Sequence, residues 1–151
     1  MKYARYLVFV PVLLLALSLS AMGEEAKQGT DLQQTAGKEK RLVAAMGADG
    51  VQRAEVTGGE YYFYPKYIVV KVNKPVELTV KKTPGFVPHD IVVNSPGAGI
   101  DFKVDLDSKK PALVKFTPTK TGKYPMYCDK KVLWFKSHRD RGMEGTIEVV
   151  E

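Results

Sequence analysis

Cys128 is the only cysteine in this chain of 151 residues, and the chain has two histidines. Nine residues separate Cys128 from His138, and four separate His138 from Met143. The other histidine, His89, sits about forty residues before Cys128 in a Pro88-His89-Asp90 turn. A thiolate, two imidazoles and a thioether form the ligand set that copper takes in electron-transfer sites: three donors in a plane and one long axial sulfur. This set uses every cysteine and histidine available. His89, Cys128, His138 and Met143 are therefore the candidate metal ligands, for one copper ion per chain.

Each residue has a plainer reading on its own. A lone cysteine is commonly a small buried core residue. His89 after a proline suits an exposed turn. His138 lies in the polar stretch Lys136-Ser137-His138-Arg139-Asp140-Arg141. Met143 alone reads as core filler. Met126 is a competing thioether, two residues before Cys128 and on the same strand face. It is the combination that carries the metal reading.

The elements that must position these residues follow the N-terminus. Lys2 and Arg5 precede an apolar run from Tyr6 to Leu19, and Ser20-Ala21-Met22-Gly23 supplies small residues for cleavage. This pattern reads as a secretory signal peptide over 1–23. The apolar run is short for a membrane span and contains Pro11. Membrane contact is expected only if this segment stays uncleaved. Its removal takes two cations away and lowers the formal net charge from +6 to +4. That balance suits an acidic partner or anionic surface and supplies no concentrated stripe for nucleic acid. The expected location is the periplasm or another exported compartment, which is oxidising. One cysteine cannot form an internal disulfide there.

Residues 24–50 are rich in Glu, Lys, Gln, Thr, Gly and Ala and read as a flexible tail or spacer, with a helical stretch around Lys38–Met46. The folded domain is expected over 51–151. Val51–Thr57 alternates and stops at Gly58-Gly59. Tyr62, Tyr64, Ile68, Val70, Val76, Leu78 and Val80 follow, with a turn at Asn73-Lys74-Pro75. β-Branched and aromatic residues at period two, broken by Asn, Gly and Pro, signal strands and turns. Further strands are predicted at Asp90–Val93, Ile100–Ser108, Ala112–Thr117, Gly122–Tyr127 and Glu144–Val150. In Ile100–Ser108 the residues Ile100, Phe102, Val104 and Leu106 would face inward. Short strands at this spacing predict an all-β sandwich.

Four motifs together resemble the cupredoxin (blue copper) family over about residues 51–151. Tyr62-x-Tyr64-Pro65-x-x-Ile68-x-Val70-x-x-Asn73-x-x-Val76 is similar to its opening strands. Pro88-His89-Asp90 resembles the turn that carries its first histidine ligand, with Asp90 in place of the usual Asn. Gly122-x-Tyr124-x-x-x-Cys128 resembles the strand entering the cysteine ligand. His138-x-x-x-x-Met143-x-Gly145 resembles the plastocyanin ending. The resemblance implies a Greek-key sandwich or barrel of about seven to eight strands, and a type 1 copper site. It also implies that Asp90 braces the two ligand loops.

One feature departs from that family. Its Cys-to-His loop is about two to four residues long, and here it has nine. Closure entropy does not forbid this, because lengthening a flexible loop from two residues to nine costs only about 1.3 kcal/mol. Residues 129–137 contain no second cysteine, which argues against a two-copper centre. Val132-Leu133-Trp134-Phe135, flanked by Lys130, Lys131 and Lys136, either folds back as a small satellite core or forms a docking surface with an apolar anchor and basic rim. Trp134 could also shield the metal from water.

The implied function is one-electron transfer between redox protein partners, without enzymatic activity. The alternatives are an altered or open copper site for binding, sensing or enzyme-like chemistry, a copper buffer or chaperone, and a metal-free binding module. In an open site Asp129 or Asp140 could give an oxygen ligand. Met-rich or His-rich tracts that would mark a buffer are absent from the sequence. No nucleophile–base constellation, phosphate loop or carboxylate pair points to hydrolysis.

Overall fold

The computed structural model describes residues 41–131 and 134–151. The signal-peptide expectation for 1–23, and the spacer expectation for 24–40, lie outside the described residues. Eleven strands are described. They are β1 (Arg41–Val43), β2 (Ala45–Met46), β3 (Gln52–Gly59), β4 (Tyr62–Tyr64), β5 (Tyr67–Lys71) and β6 (Val76–Lys82). After these come β7 (Asp90–Ser95), β8 (Ile100–Asp105), β9 (Ala112–Phe116), β10 (Gly122–Tyr127) and β11 (Glu144–Val150).

The strands form two sheets. One has the order β1-β5-β11-β10-β7-β8; the other runs β2-β3-β6-β9, with β4 paired to β3. The alternation seen in the sequence is what separates core from solvent. In β3, Gln52, Ala54 and Val56 are buried while Arg53 and Glu55 are exposed. In β6, Val76, Leu78 and Val80 are buried between less buried neighbours. Together with Ile68, Ile91, Val93, Ile100 and Ile147 from the other sheet they form one hydrophobic core. This is the expected all-β sandwich. Along Ile100–Leu106, Ile100 and Leu106 are buried, Phe102 and Val104 are half-buried, and Asp101, Lys103 and Asp105 are exposed.

Two expectations need correction. Residues 41–46 are strands, not part of a helix, and they belong to the sandwich rather than to a spacer. β1 runs parallel to β5, pairing Leu42 with Ile68, and Ala44 N–H donates to the Val69 carbonyl at 2.9 Å. β2 then pairs with β3 in the opposite sheet. The open edges of both sheets offer this stretch a full set of partners, which outweighs the weak helix preference of Leu and Ala. The second is a matter of bounds: β3 includes both glycines, which pair with β4, and it ends at Gly59.

Gln52 links the two sheets from inside. Its side-chain amide donates to the Lys71 carbonyl at 2.9 Å and accepts from Lys71 N–H at 2.6 Å. A buried amide is tolerated because its donor and acceptor are both paired.

Three strand ends meet at one edge of the first sheet. β10 is antiparallel to both neighbours, with Tyr127 opposite Val92 of β7 and Glu144 of β11. This register sets the residue after β10 opposite the residue before β11, and brings the residue before β7 to the same end of the sheet. They are Cys128, Met143 and His89.

Gln52→Ala removes both hydrogen bonds to Lys71 and leaves its backbone groups unpaired. A loss of about 1–3 kcal/mol is expected in denaturant unfolding of the metal-free protein.

Candidate metal centre

The strand ends deliver His89, Cys128 and Met143 to one place, and the chain must then bring His138 back across a nine-residue loop. A backbone hydrogen bond does this: His138 N–H donates to the Lys130 carbonyl at 3.0 Å. That bond ties His138 to the residue two after Cys128, so the spatial path between the two candidate ligands is short despite their separation in sequence. Met143 N–H then donates to the His138 carbonyl at 3.0 Å, and Cys128 N–H to the Met143 carbonyl at 3.1 Å. Around His138, Ser137 and Asp140 bond each other reciprocally, side chain to side chain at 2.7 Å and backbone N–H to side chain at 3.2 and 3.1 Å. They fix the short 3-10 turn Arg139–Arg141 that follows His138.

His89, Cys128 and His138 come together as a buried cluster. The two Nδ1 atoms are 3.0 Å apart, and Cys128 Sγ lies 4.0 Å from His89 Nδ1 and 3.5 Å from His138 Nδ1. A circle through three such points has a radius of about 2.1 Å, which lies at metal–imidazole bond lengths and just inside metal–thiolate ones. The three donor atoms thus fit a single metal ion. Their exposures are 3% for His89, 1% for His138 and 0% for Cys128.

The protonation states follow from burial. Desolvation first, then the His138 and Lys82 charges, lowers His89 to about 4. Desolvation, followed by Arg141, lowers His138 as well. Both imidazoles are therefore neutral at pH 7, and a neutral imidazole is the form that ligates. Burial pushes the Cys128 thiol up to about 11, opposed by the backbone N–H groups of Asp90 and Lys130. The Asp90 N–H lies 3.5 Å from the sulfur. A metal would have to displace the thiol proton, after which these two donors would stabilise the thiolate.

Asp90 does brace the two ligand segments. Its Oδ1 accepts from Asp129 N–H at 2.9 Å, tying the residue after His89 to the residue after Cys128. Its Oδ2 faces Lys103 Nζ at 3.6 Å and Lys130 Nζ at 3.9 Å. Burial raises the carboxyl of this fully enclosed side chain. The two ammonium groups supply the charge that compensates it.

Met143 is fully buried beside the cluster. Its terminal methyl packs towards Gly58 of β3, where an added Cβ would lie 3.2 Å from it and 2.4 Å from Leu106 Cδ1. Gly58 thus makes room for Met143, a role that its sequence context conceals. Met126 sits one layer deeper. Its methyl covers Gly145, its cross-strand partner.

Several sequence expectations change here. The carboxylates of Asp129 and Asp140 are engaged with Lys103 at 2.6 Å and with Ser137, so neither joins the cluster. Lys130 is drawn to Asp105 at 2.7 Å instead of forming a free rim. Trp134 and Phe135 stack on each other and are 81% and 51% exposed, so they fill no satellite core and Trp134 shields no metal. Val132 and Leu133 lie outside the described residues. The ring that covers the histidines is Tyr61, which the sequence reading misses. It stands perpendicular to His89 and His138, with centroids at 6.0 and 5.0 Å.

A two-sheet sandwich with a buried His-Cys-His cluster at the ends of adjacent strands defines a class of metal-binding domain. The chain belongs to the cupredoxin-like domain family, whose sequence model matches residues 12–147. Solved structures agree on the fold. The metal-binding domain of the Streptococcus pneumoniae D39 Cu(I)-exporting P-type ATPase CopA, determined with Cu(I), matches with a TM-score of 0.58 at 20% identity, covering 76% of this chain and 100% of that one. A copper-binding protein in its apo form matches at 0.57 and 19% identity, over 75% of this chain and 100% of that one. Dithionite-reduced auracyanin from Roseiflexus castenholzii matches at 0.52 and 20%, over 70% and 100%. No curated protein sequence matches significantly.

The lowered His89 value gives the metal-free protein an acid limit. The folded state resists protonation down to about pH 4, whereas an unfolded histidine takes its proton near pH 6.5. The unfolded state thus binds more protons in that window, and stability falls as pH drops from 6.5 towards 4. His89→Gln is expected to flatten this part of a denaturation-versus-pH profile relative to wild type.

Proposed function

We propose that the protein is an exported one-electron carrier. In this reading a single copper ion would be held by His89 Nδ1, Cys128 Sγ and His138 Nδ1, with Met143 as a further thioether donor. The observation that carries it is the buried triangle of two imidazole nitrogens and one sulfur at 3.0, 3.5 and 4.0 Å. Copper in such a set shuttles between Cu(I) and Cu(II) with little change of geometry, which is the chemistry of outer-sphere electron transfer.

The chain's own residues would do the rest. The sandwich holds strand ends β7, β10 and β11 at fixed spacing, so the donors are pre-arranged. The N–H groups of Asp90 and Lys130 orient the sulfur and tune its donor strength. Burial of the candidate ligands argues for a carrier over an enzyme or open sensor, since a reacting substrate needs an accessible position. An ionised Asp90, whose Oδ2 faces Lys103 and Lys130, would favour the higher charge on the metal. Export of the chain follows from the 1–23 pattern. No helix among the described residues is long and apolar enough to cross a membrane.

The proposed partner is a redox protein with an acidic face. Trp134 and Phe135 present exposed apolar surface beside Lys131 and Lys136, both exposed. Phe135 also shares a shallow depression with Phe86, Val87, Pro88, Tyr61 and Arg141, and Tyr61 is the ring that packs on both histidines. Apolar contact at the centre and cations at the edge suit a brief encounter steered by charge.

Addition of one equivalent of Cu(II) tests the reading. An intense visible thiolate-to-copper band with narrow EPR hyperfine splitting is expected, and Cys128→Ser should abolish both. A weak band with wide splitting, or binding that is not stoichiometric, contradicts the carrier reading. Asp90→Asn keeps the acceptor for Asp129 N–H but removes the charge, and voltammetry should show a higher reduction potential. Reversing charge at Lys131 and Lys136 should slow electron transfer to an acidic partner at low ionic strength, with the difference shrinking as salt is added.

A further inference from the structure

His138 Nε2 is buried and has no hydrogen-bond partner among the described residues. A metal-ligating imidazole is ordinarily oriented by a hydrogen bond from its other nitrogen. For His138 that support is missing, so packing must supply it. The packing group is Tyr61, whose ring crosses His138 at 83° with centroids 5.0 Å apart and crosses His89 at 88° and 6.0 Å. One ring therefore touches both imidazoles.

Tyr61 is held there against its own backbone preference. Its φ is +62°, in the left-handed region that a bulky aromatic residue rarely occupies. Such a conformation persists where the surroundings over-determine it, and it clusters at functional sites. The turn between β3 and β4, with Gly59 before it, points the ring back over the cluster. From the solvent side, the Arg141 guanidinium lies over the same ring, 4.6 Å from its centroid. Arg141 belongs to the short turn that follows His138, and its N–H donates to the His138 carbonyl at 3.1 Å.

We propose that Tyr61, clamped by Arg141, is the positioning residue that fixes the two imidazoles in their metal-binding orientation and closes the centre to water. This rests on the copper-site reading above. Tyr61 replaces the missing polar support of His138 with an aromatic wall. It also forms the floor of the apolar depression beside Phe86 and Phe135, placing it between the ligands and the docking face.

Three variants separate the possibilities. Tyr61→Phe keeps the ring. Tyr61→Gly removes it and relieves the left-handed backbone, at the cost of the ring's packing against the core. Denaturant unfolding is therefore measured beside it, and Arg141→Gln carries the test if Tyr61→Gly does not fold. Arg141→Gln leaves the ring unclamped. In the metal-free full-length protein, diethyl pyrocarbonate labelling resolved by mass spectrometry reads His138 exposure without copper. Wild type and Tyr61→Phe should stay protected; Tyr61→Gly should be labelled rapidly, and Arg141→Gln at an intermediate rate. In the Cu(II) protein, Tyr61→Gly should lose about 10–100-fold in copper affinity, widen the EPR hyperfine splitting and admit azide, while Tyr61→Phe remains near wild type. Equal protection and equal spectra in Tyr61→Gly would overturn the proposal. If wild type binds no stoichiometric copper while the labelling pattern holds, the copper reading fails and the packing role of Tyr61 stands.

Discussion

The hydrogen bond from His138 N–H to the Lys130 carbonyl is the contact on which the metal cluster depends. Strand pairing alone brings His89, Cys128 and Met143 together, because β7, β10 and β11 are neighbours and their relevant ends coincide. No such pairing reaches His138. Its backbone is placed by the bond to Lys130 and by the return bonds from Arg141 and Met143 N–H, while its ring packs on Tyr61. Loop length then has little bearing on ligand geometry. The slow growth of closure entropy with loop length makes the additional residues inexpensive.

Around that contact the site is organised by burial of neutral donors. Two imidazoles with lowered proton affinity, and a thiol with raised affinity, give a metal-free cluster that carries little charge. That is the least costly way to keep three polar groups in a dry interior. A metal ion changes the balance by displacing the thiol proton, so binding must release a proton and strengthen as pH rises. The neighbouring Asp90 is the one enclosed acidic group among the described residues, and it faces Lys103 and Lys130. Its carboxyl thereby sits one residue from His89, where, ionised, it would bias the redox state of a bound metal.

The legible part of the sequence was the part governed by rare residue types and strict periodicity. His89, Cys128 and His138 stand out because few side chains ligate soft metals and the chain has so few of them. Strands β10 and β11 stand out because alternation fixes which face is buried. What escaped notice depended on contacts distant in sequence. Residues 41–46 have a composition that suits a helix, and only the two sheet edges make them strands. Gly58 looks like a strand terminator, whereas its small size serves Met143 and Leu106. Tyr61 carries no signal at all, since neither a left-handed backbone nor a perpendicular ring contact leaves a trace in residue type. Lys130 reads as surface charge until the fold shows Asp105 and Asp90 beside it.

The central claim is that His89 Nδ1, His138 Nδ1 and Cys128 Sγ bind one metal ion together. X-ray absorption at the copper edge of the loaded protein measures this most directly. The account predicts two nitrogen neighbours at about 2.0–2.1 Å and one sulfur at about 2.3 Å or slightly less, with one nitrogen lost in His138→Gly. A copper shell without short sulfur, or one unchanged by loss of His138, would contradict it.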